Sequence, residues 1–302
     1  MNKPQKSGTK RSEKFGPYWT WLFPSVALFI KVITISNIPG HIWPGSDAES
    51  YLDAVNGLVK SGFFSDAEKL QYFPAGYPVI IWLLAKISIS NALLFLGIFQ
   101  SLVFAFASWF FVKKLNLGKF SRLAPWVAFL VSFNPTLALS SLAIGYESLV
   151  ASLLMISLAL IFQENKENQL FRISIFSILS GIAAFMQPRY LATSIIVLVI
   201  WAYMNFGARK SIKFVSLALI IIMMSPLALG LRNKEATGKF FVSNNLGVTM
   251  NVGAGPQSSG GYTNKATGVN CPENVKTDNQ KVLCILKWYL TNPLQTARLS
   301  YN

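Results

Sequence analysis

The feature that most constrains the fold is an uninterrupted apolar run at residues 92–112, which contains no charged side chain. Roughly 20 apolar residues in a helix, rising about 1.5 Å each, cover a hydrocarbon core of about 30 Å. Over the whole chain only 13% of the residues are charged and 52% are hydrophobic. A soluble domain carries about a quarter charged residues. The deficit predicts that lipid surrounds much of this chain.

Further apolar segments have the composition of weaker or shorter membrane spans. They cover residues 19–38, 123–143, 148–162, 173–186, 190–206 and 212–229. Together with residues 92–112, they predict an all-α integral membrane protein with about seven transmembrane helices.

The distribution of basic residues predicts how these spans are oriented. The net charge of +15 is concentrated in three places: Lys3, Lys6, Lys10, Arg11 and Lys14 before the first span; Lys113, Lys114, Lys119 and Arg122 between two spans; and Arg209, Lys210 and Lys213 further on. With a cytoplasmic N-terminus, all three clusters lie on the cytoplasmic side, as the positive-inside rule requires. Nucleic-acid binding would need a continuous basic face on a soluble scaffold. We therefore predict the lipid bilayer, and no nucleic acid, as a partner.

A short apolar segment at residues 78–90 decides the topology. It is only about a dozen residues long, a length typical of interfacial segments, and it contains Lys86. If it crossed the membrane, the basic loop after residue 112 would face outward, so we interpret it as a helix lying at the outer surface. The predicted organisation is a cytoplasmic basic tail at 1–18, a transmembrane module at 19–230 with an external loop at 38–91, and an external region rich in Gly and Asn at 231–302.

The external C-terminal region has a composition of its own. Residues 241–261 are rich in Asn, Gly and Ser, which predicts a surface loop suited to contacting a ligand. Cys271 and Cys284 are the only cysteines of the chain. Their outward position favours a disulfide, with two unpaired thiols as the alternative. The only histidine, His41, lies in a different loop, which disfavours a Cys/His metal site.

The external loop at 38–91 holds five of the twelve acidic residues of the chain. Asp47 follows closely after the first span, so it should lie near the lipid surface, and in a helix it would share a face with Tyr51 one turn later. A carboxylate there can take a proton from a hydroxyl group or position a divalent metal ion. The alternative is that Ser46 or Asp47 caps a helix. The sequence requires no cofactor, and it leaves the use of a divalent metal open.

Two other ionisable residues lie at the predicted outer face. Glu147 follows a turn and begins a span, where it either faces the same cavity as Asp47 or interacts with a helix N-terminus. Arg189, between two spans, suits a lipid phosphate, although ordinary headgroups could also hold it. Lys31, inside the first span, would have to snorkel or pair.

The order of these features resembles polytopic glycosyltransferases of the GT-C class, in particular the dolichyl-phosphate-mannose–protein mannosyltransferases and the lipid A aminoarabinose transferases. The segments that carry the resemblance follow one another along nearly the whole chain. They are Asp47-Ala-Glu-Ser-Tyr51 in the first external loop, Phe73-Pro-Ala-Gly-Tyr-Pro78 before a surface helix, Glu147 at the start of a later span, the turn Pro188-Arg189, the pair Arg232-Asn233, the Gly-rich stretch 247–261 and a helix ending at Asn292-Pro293.

This resemblance implies an activity in the cell membrane. A sugar would move from a polyprenyl-phosphate-linked donor to an acceptor hydroxyl at the outer face, with inversion. Asp47 would act as the base and Arg189 would hold the donor phosphate, while Glu49, Tyr51 and Glu147 would shape the acceptor or metal environment. The acceptor could be a protein, a lipid or a polysaccharide. Members of the family continue through further spans, so we expect this chain to be a truncated or minimal form.

Two other classes of function stay open. A transporter or flippase would use the carboxylates as ion or substrate ligands, and it predicts broken helices in matched halves with charges near the middle of the membrane. Here the ionisable residues cluster at the outer face and no halves match. A non-catalytic lipid-binding assembly subunit would bind partners through the external C-terminal region.

Overall fold

A computed structural model describes residues 18–116, 121–161, 168–256, 258 and 268–299. Within these residues all regular secondary structure is helical, which confirms the all-α prediction. The chain divides into two compact units. Unit 1 comprises residues 1–48, 84–184 and 189–222, and unit 2 comprises residues 49–83, 185–188 and 223–302. The basic residues of the predicted tail at 1–17, and Lys119, lie outside the described residues.

The described helices run in chain order as follows: α1 (Trp19–Asn37), α2 (Ala48–Ser61), α3 (Glu68–Tyr72), α4 (Gly76–Ile87), α5 (Ala92–Asn116), a 3-10 turn (Ser121–Leu123), α6 (Ala124–Phe133), α7 (Pro135–Ser140), α8 (Glu147–Ile161), α9 (Gln169–Met186), α10 (Tyr190–Thr237), α11 (Leu246–Gly253), α12 (Asp278–Thr291) and α13 (Pro293–Leu299). Helix α10 is broken at Gly207, whose φ of 69° is not helical. Glycine adopts this conformation without a steric penalty.

Five helical segments of the described chain are long and apolar enough to cross a membrane: Trp19–Asn37, Ala92–Leu115, Gln169–Met186, Tyr190–Gly207 and Arg209–Thr237. They correspond to five of the apolar segments predicted from the sequence. The prediction of several helices with the length and apolar composition of membrane spans is therefore confirmed.

The count of seven spans is not confirmed, because two predicted spans are short or broken. The segment 123–143 divides at Asn134, whose side-chain oxygen accepts a hydrogen bond from the Leu137 backbone N–H at 2.9 Å. Pro135, which has no N–H, then takes the first position of α7. Helix α8 begins at Glu147, as predicted, but has only 15 residues. Helix α4, by contrast, has the expected short length of 12 residues.

Small and aromatic side chains build the core of unit 1 where α1, α5 and α6 pack together. One cluster joins the buried residues Val112, Ala124 and Ala128 with Phe23 at its edge. Lys31 of α1 is also inside this unit, only 3% exposed, and its Nζ lies 3.8 Å from the centre of the Phe104 ring. Among the described residues Lys31 therefore has no hydrogen-bond partner, and its Nζ packs against the face of the Phe104 ring.

Unit 2 is organised around a buried arginine at the end of α10. The Arg232 guanidinium is 1% exposed and donates hydrogen bonds to the backbone carbonyls of Phe63, Ser65 and Leu70. Asn233 accepts another of its hydrogen bonds at 2.6 Å. These bonds satisfy the charged group with peptide dipoles and fix the turn before α3.

A second part of unit 2 contains the predicted disulfide. Of the two alternatives for the cysteines, the structure contains the bond between Cys271 and Cys284, with the Cα atoms 6.1 Å apart. The pair borders a small core of Ala254, Val269 and Ile285. The region predicted as a loop at 241–261 is partly helical, because residues 246–253 form α11. The polar composition there concealed the apolar residues that pack α11 against α12.

Candidate functional site

The candidate site of unit 1 begins with two chain segments that lie side by side. Trp43 donates its backbone N–H to the Leu142 carbonyl at 2.8 Å and accepts from the Ile144 N–H at 3.0 Å. Trp43 and Ala143 thereby form a parallel bridge, although the segments are separated by about a hundred positions of sequence. A Cβ atom on Gly45 would collide with the Ile144 carbonyl oxygen. Glycine at this position is therefore a requirement of the close approach.

A buried glutamine from α5 supports the second of these segments. Gln100 is fully buried, and its Nε2 lies 3.0 Å from the Ala143 carbonyl oxygen and 3.4 Å from that of Ser141. These bonds satisfy carbonyls that the turn before α8 leaves without a helical partner. The paired segments are thus fixed to the helical core of unit 1 by a side chain as well as by backbone bonds.

The pairing brings two predicted carboxylates into matching register. Asp47 lies four residues after Trp43, and Glu147 lies four residues after Ala143, so both follow the parallel bridge in the same direction. Each stands where a helix begins, since α2 starts at Ala48 and α8 starts at Glu147. Both side chains are exposed. Two solvent-accessible carboxylates therefore follow the bridge at the same end of the paired segments, each at the start of a helix.

An arginine is held beside the Glu147 turn by an aromatic side chain. Arg189 donates a hydrogen bond to the hydroxyl of the buried Tyr146. Its guanidinium carbon lies 5.6 Å from the ring centres of both Tyr146 and Tyr190. Arg189 itself is exposed. Because the aromatic partners are uncharged, they orient the guanidinium without neutralising it, which leaves a positioned cation for an anion such as a phosphate.

Two further predicted residues, Glu49 and Tyr51, lie in α2. Glu49 is exposed in the first turn of the helix. Tyr51 is 3% exposed, and its ring centre is 5.0 Å from those of both Phe73 and Tyr77. Helix α2 begins after Asp47, so Asp47 precedes the helix in which Tyr51 lies. The structure places Tyr51 in an aromatic core, and a role for it in the acceptor environment stays a prediction.

Sequence reasoning missed the groups that hold the site together. Gly45, Gln100 and Tyr146 contribute through contacts with residues tens of positions away, which local pattern does not reveal. Tyr146 was the one available indication of these contacts, since a buried phenol requires a polar partner. Within the described residues, no three His, Cys, Asp or Glu side chains are grouped so that they could hold a metal ion.

Comparison of the chain with protein-family models, with curated proteins and with solved structures gives no match.

Proposed function

We propose that this chain is a membrane glycosyltransferase that moves a sugar from a polyprenyl-phosphate-linked donor to an acceptor hydroxyl, with inversion. The observation that supports it most is the arrangement in unit 1. Two exposed carboxylates, Asp47 and Glu147, follow the parallel bridge in matching register, and Arg189 is held on Tyr146 at the adjoining turn. A base and a phosphate-binding cation are the groups that this reaction requires.

In the proposed reaction, Asp47 accepts the proton of the acceptor hydroxyl while that oxygen attacks the anomeric carbon. The bond between the anomeric carbon and the phosphate oxygen breaks, and the polyprenyl phosphate leaves with the bonding electron pair. The sugar is then joined to the acceptor with inverted configuration, and Asp47 carries the proton. An exposed carboxylate is suited to this role because an acceptor hydroxyl can reach it directly.

Arg189 would hold the donor phosphate throughout this step. The leaving phosphate gains negative charge as the glycosidic bond breaks, so a positioned guanidinium stabilises the transition state more than the ground state. Glu147 would contribute to the acceptor or metal environment.

The proposal includes a membrane topology. The five long helices would each cross the membrane. Helices α6 and α7 together would form a sixth span and α8 a seventh, with the N-terminus in the cytoplasm. Helix α8 has 15 residues, which corresponds to roughly 22 Å; a short span is accommodated by local thinning of the bilayer. The basic clusters would then lie in the cytoplasm, and the site would lie at the external face, where α4 would rest on the membrane surface.

The test uses the full chain, purified into lipid nanodiscs, with a panel of polyprenyl-phosphate-linked sugars labelled in the sugar. Peptide, lipid and polysaccharide fractions serve as acceptors. The proposal predicts that one donor releases free polyprenyl phosphate and transfers its label to one class of acceptor. Binding of the donors without any cleavage would instead favour an assembly subunit. Movement of intact donor between leaflets of liposomes, again without cleavage, would favour a flippase.

A further inference from the structure

Unit 2 contains a cavity of about 580 Å³ that the proposed reaction does not use. Three lysines line it: Lys239 from the segment after α10, and Lys276 and Lys281 from the start of α12. Ligand-binding cavities in proteins measure roughly 300–1,000 Å³. The size therefore corresponds to a small organic molecule of one to a few rings.

The charge of the cavity is positive. Asp278 is the one acidic residue that lines it, and its Oδ1 already accepts a hydrogen bond from the Gly247 backbone N–H at 2.9 Å. The three ammonium groups outnumber this single carboxylate. Like charges around one cavity repel one another, and an anionic ligand would relieve that repulsion.

The remaining lining groups are those that bind sugars. Asn244 and Asn279 bring side-chain amides, which can donate to and accept from hydroxyl groups. Phe240 and Phe241 bring aromatic surface, and Phe240 is 56% exposed. The C–H face of a sugar ring packs on such a surface, while a lysine pairs with its charged substituent.

The walls of the cavity are fixed from both sides. The disulfide between Cys271 and Cys284 closes the segment that carries Lys276 and Lys281. Thr277 and Gln280 cap the start of α12 reciprocally, which holds the backbone between these lysines. On the other wall, the Asn233 side-chain amide donates to the carbonyls of Phe241 at 2.8 Å and Val242 at 3.2 Å. A cavity that is formed before a ligand arrives loses less conformational entropy on binding.

We propose that this cavity binds a sugar that carries a phosphate or carboxylate group. The proposal does not depend on transfer chemistry at Asp47, because it concerns binding within unit 2 alone.

Calorimetric titration of the full chain in nanodiscs tests it with four probes: glucose 6-phosphate, glucuronic acid, glucose and inorganic phosphate. Glucose 6-phosphate or glucuronic acid should bind at least about tenfold more tightly than glucose or phosphate. Equal affinity for glucose and glucose 6-phosphate would overturn the role of the lysines. Equal affinity for phosphate and glucose 6-phosphate would overturn the role of the sugar-binding groups.

Substitutions of lysines inside and outside the cavity lining show where the anionic sugar binds. The double substitution Lys276→Gln and Lys281→Gln should weaken binding of the anionic sugar about tenfold or more, because it removes two charge-assisted contacts. Lys287→Gln, on the same helix but outside the cavity lining, is the matched control and should bind as the natural chain does. Unchanged binding in the double lysine variant, or an equal loss of binding in Lys287→Gln, would place the probe outside the cavity and refute the proposal. An unchanged thermal unfolding temperature shows that the double variant is folded, and the single variant Lys281→Gln serves if it is not.

Discussion

Each of the two units positions an arginine, but the guanidinium is buried and hydrogen-bonded in unit 2 and exposed in unit 1. In unit 2 the Arg232 guanidinium is 1% exposed, and three backbone carbonyls and an amide oxygen accept its hydrogen bonds. In unit 1 the exposed Arg189 donates to one phenol and lies over two aromatic rings. Arg232 is therefore saturated by its own chain, whereas Arg189 is oriented and still able to bind an anion.

This contrast separates a structural cation from a candidate functional one. A guanidinium has five N–H donors, and burial requires that they be satisfied within the fold. A guanidinium that is exposed and contacted by neutral groups keeps its charge and its remaining N–H donors available to a phosphate. The resemblance to glycosyltransferases draws on both arginines, and the structure assigns them different surroundings that mutation can distinguish.

The largest effect is expected for Arg232→Met. The substitution leaves the carbonyls of Phe63, Ser65 and Leu70 buried without donors, and we expect the free energy of unfolding to fall by about 3–5 kcal/mol. Thermal unfolding in nanodiscs, together with the yield of folded protein, measures it. A variant as stable as the natural chain would show that the buried guanidinium does not organise unit 2.

The next largest loss of stability is expected when the disulfide of unit 2 is removed. Replacing both Cys271 and Cys284 by alanine should lower stability by about 3 kcal/mol, as expected for a short closed loop. Reducing agent should lower the unfolding temperature of the natural chain and leave that of the double variant unchanged. If reduction shifts both proteins equally, the effect arises elsewhere and the disulfide does not stabilise the fold.

A smaller effect is expected in unit 1 for Gly45→Ala. The added Cβ would meet the Ile144 carbonyl oxygen, so the paired segments must separate, at a cost of about 1–3 kcal/mol. Thr136→Ala, at an exposed position of α7 in the same unit, is the control and should change little. We also expect Gly45→Ala to reduce sugar transfer, because the register of Asp47 and Glu147 depends on the pairing. Full activity in this variant would contradict that dependence.

The smallest effect on stability is expected for Arg189→Met. Its side chain is exposed and its polar contact is with one phenol, so the unfolding temperature should barely change. Binding of a polyprenyl-phosphate sugar, measured by displacement of a fluorescent lipid phosphate, should instead weaken about tenfold or more. A large loss of stability with normal binding would make Arg189 a structural residue like Arg232.

Much of the helical architecture was predictable from the sequence. Residues 92–112 and four other apolar segments were correctly predicted as long helices, because an extended apolar run has few alternatives to a helix in lipid. The break at Asn134 and Pro135 was also visible in principle, since this pair caps one helix and begins another. Helix α11 was missed because its packing depends on α12, about thirty positions later.

The site was predictable only in part. Asp47, Glu147 and Arg189 were identified as ionisable residues at the ends of apolar segments, and each lies at or next to a helix start. The parallel bridge that relates Asp47 to Glu147 joins residues about a hundred positions apart, and the contact of Arg189 with Tyr146 spans 43 positions, so no local pattern encodes either. The saturation of Arg232 likewise depends on carbonyls more than 160 positions earlier in the chain. The fold therefore determines that the guanidinium of Arg232 is hydrogen-bonded and that the guanidinium of Arg189 is exposed.

The most direct test of the proposed function compares Asp47→Asn with Asp53→Asn. Asp53 is an exposed carboxylate in α2, so its substitution controls for the loss of one negative charge in the same stretch of the chain. With a polyprenyl-phosphate sugar that the natural chain uses, Asp47→Asn should transfer sugar at least about 100-fold more slowly, because the proton acceptor is lost. Asp53→Asn should transfer at the natural rate. Full transfer by Asp47→Asn would contradict its role as the base.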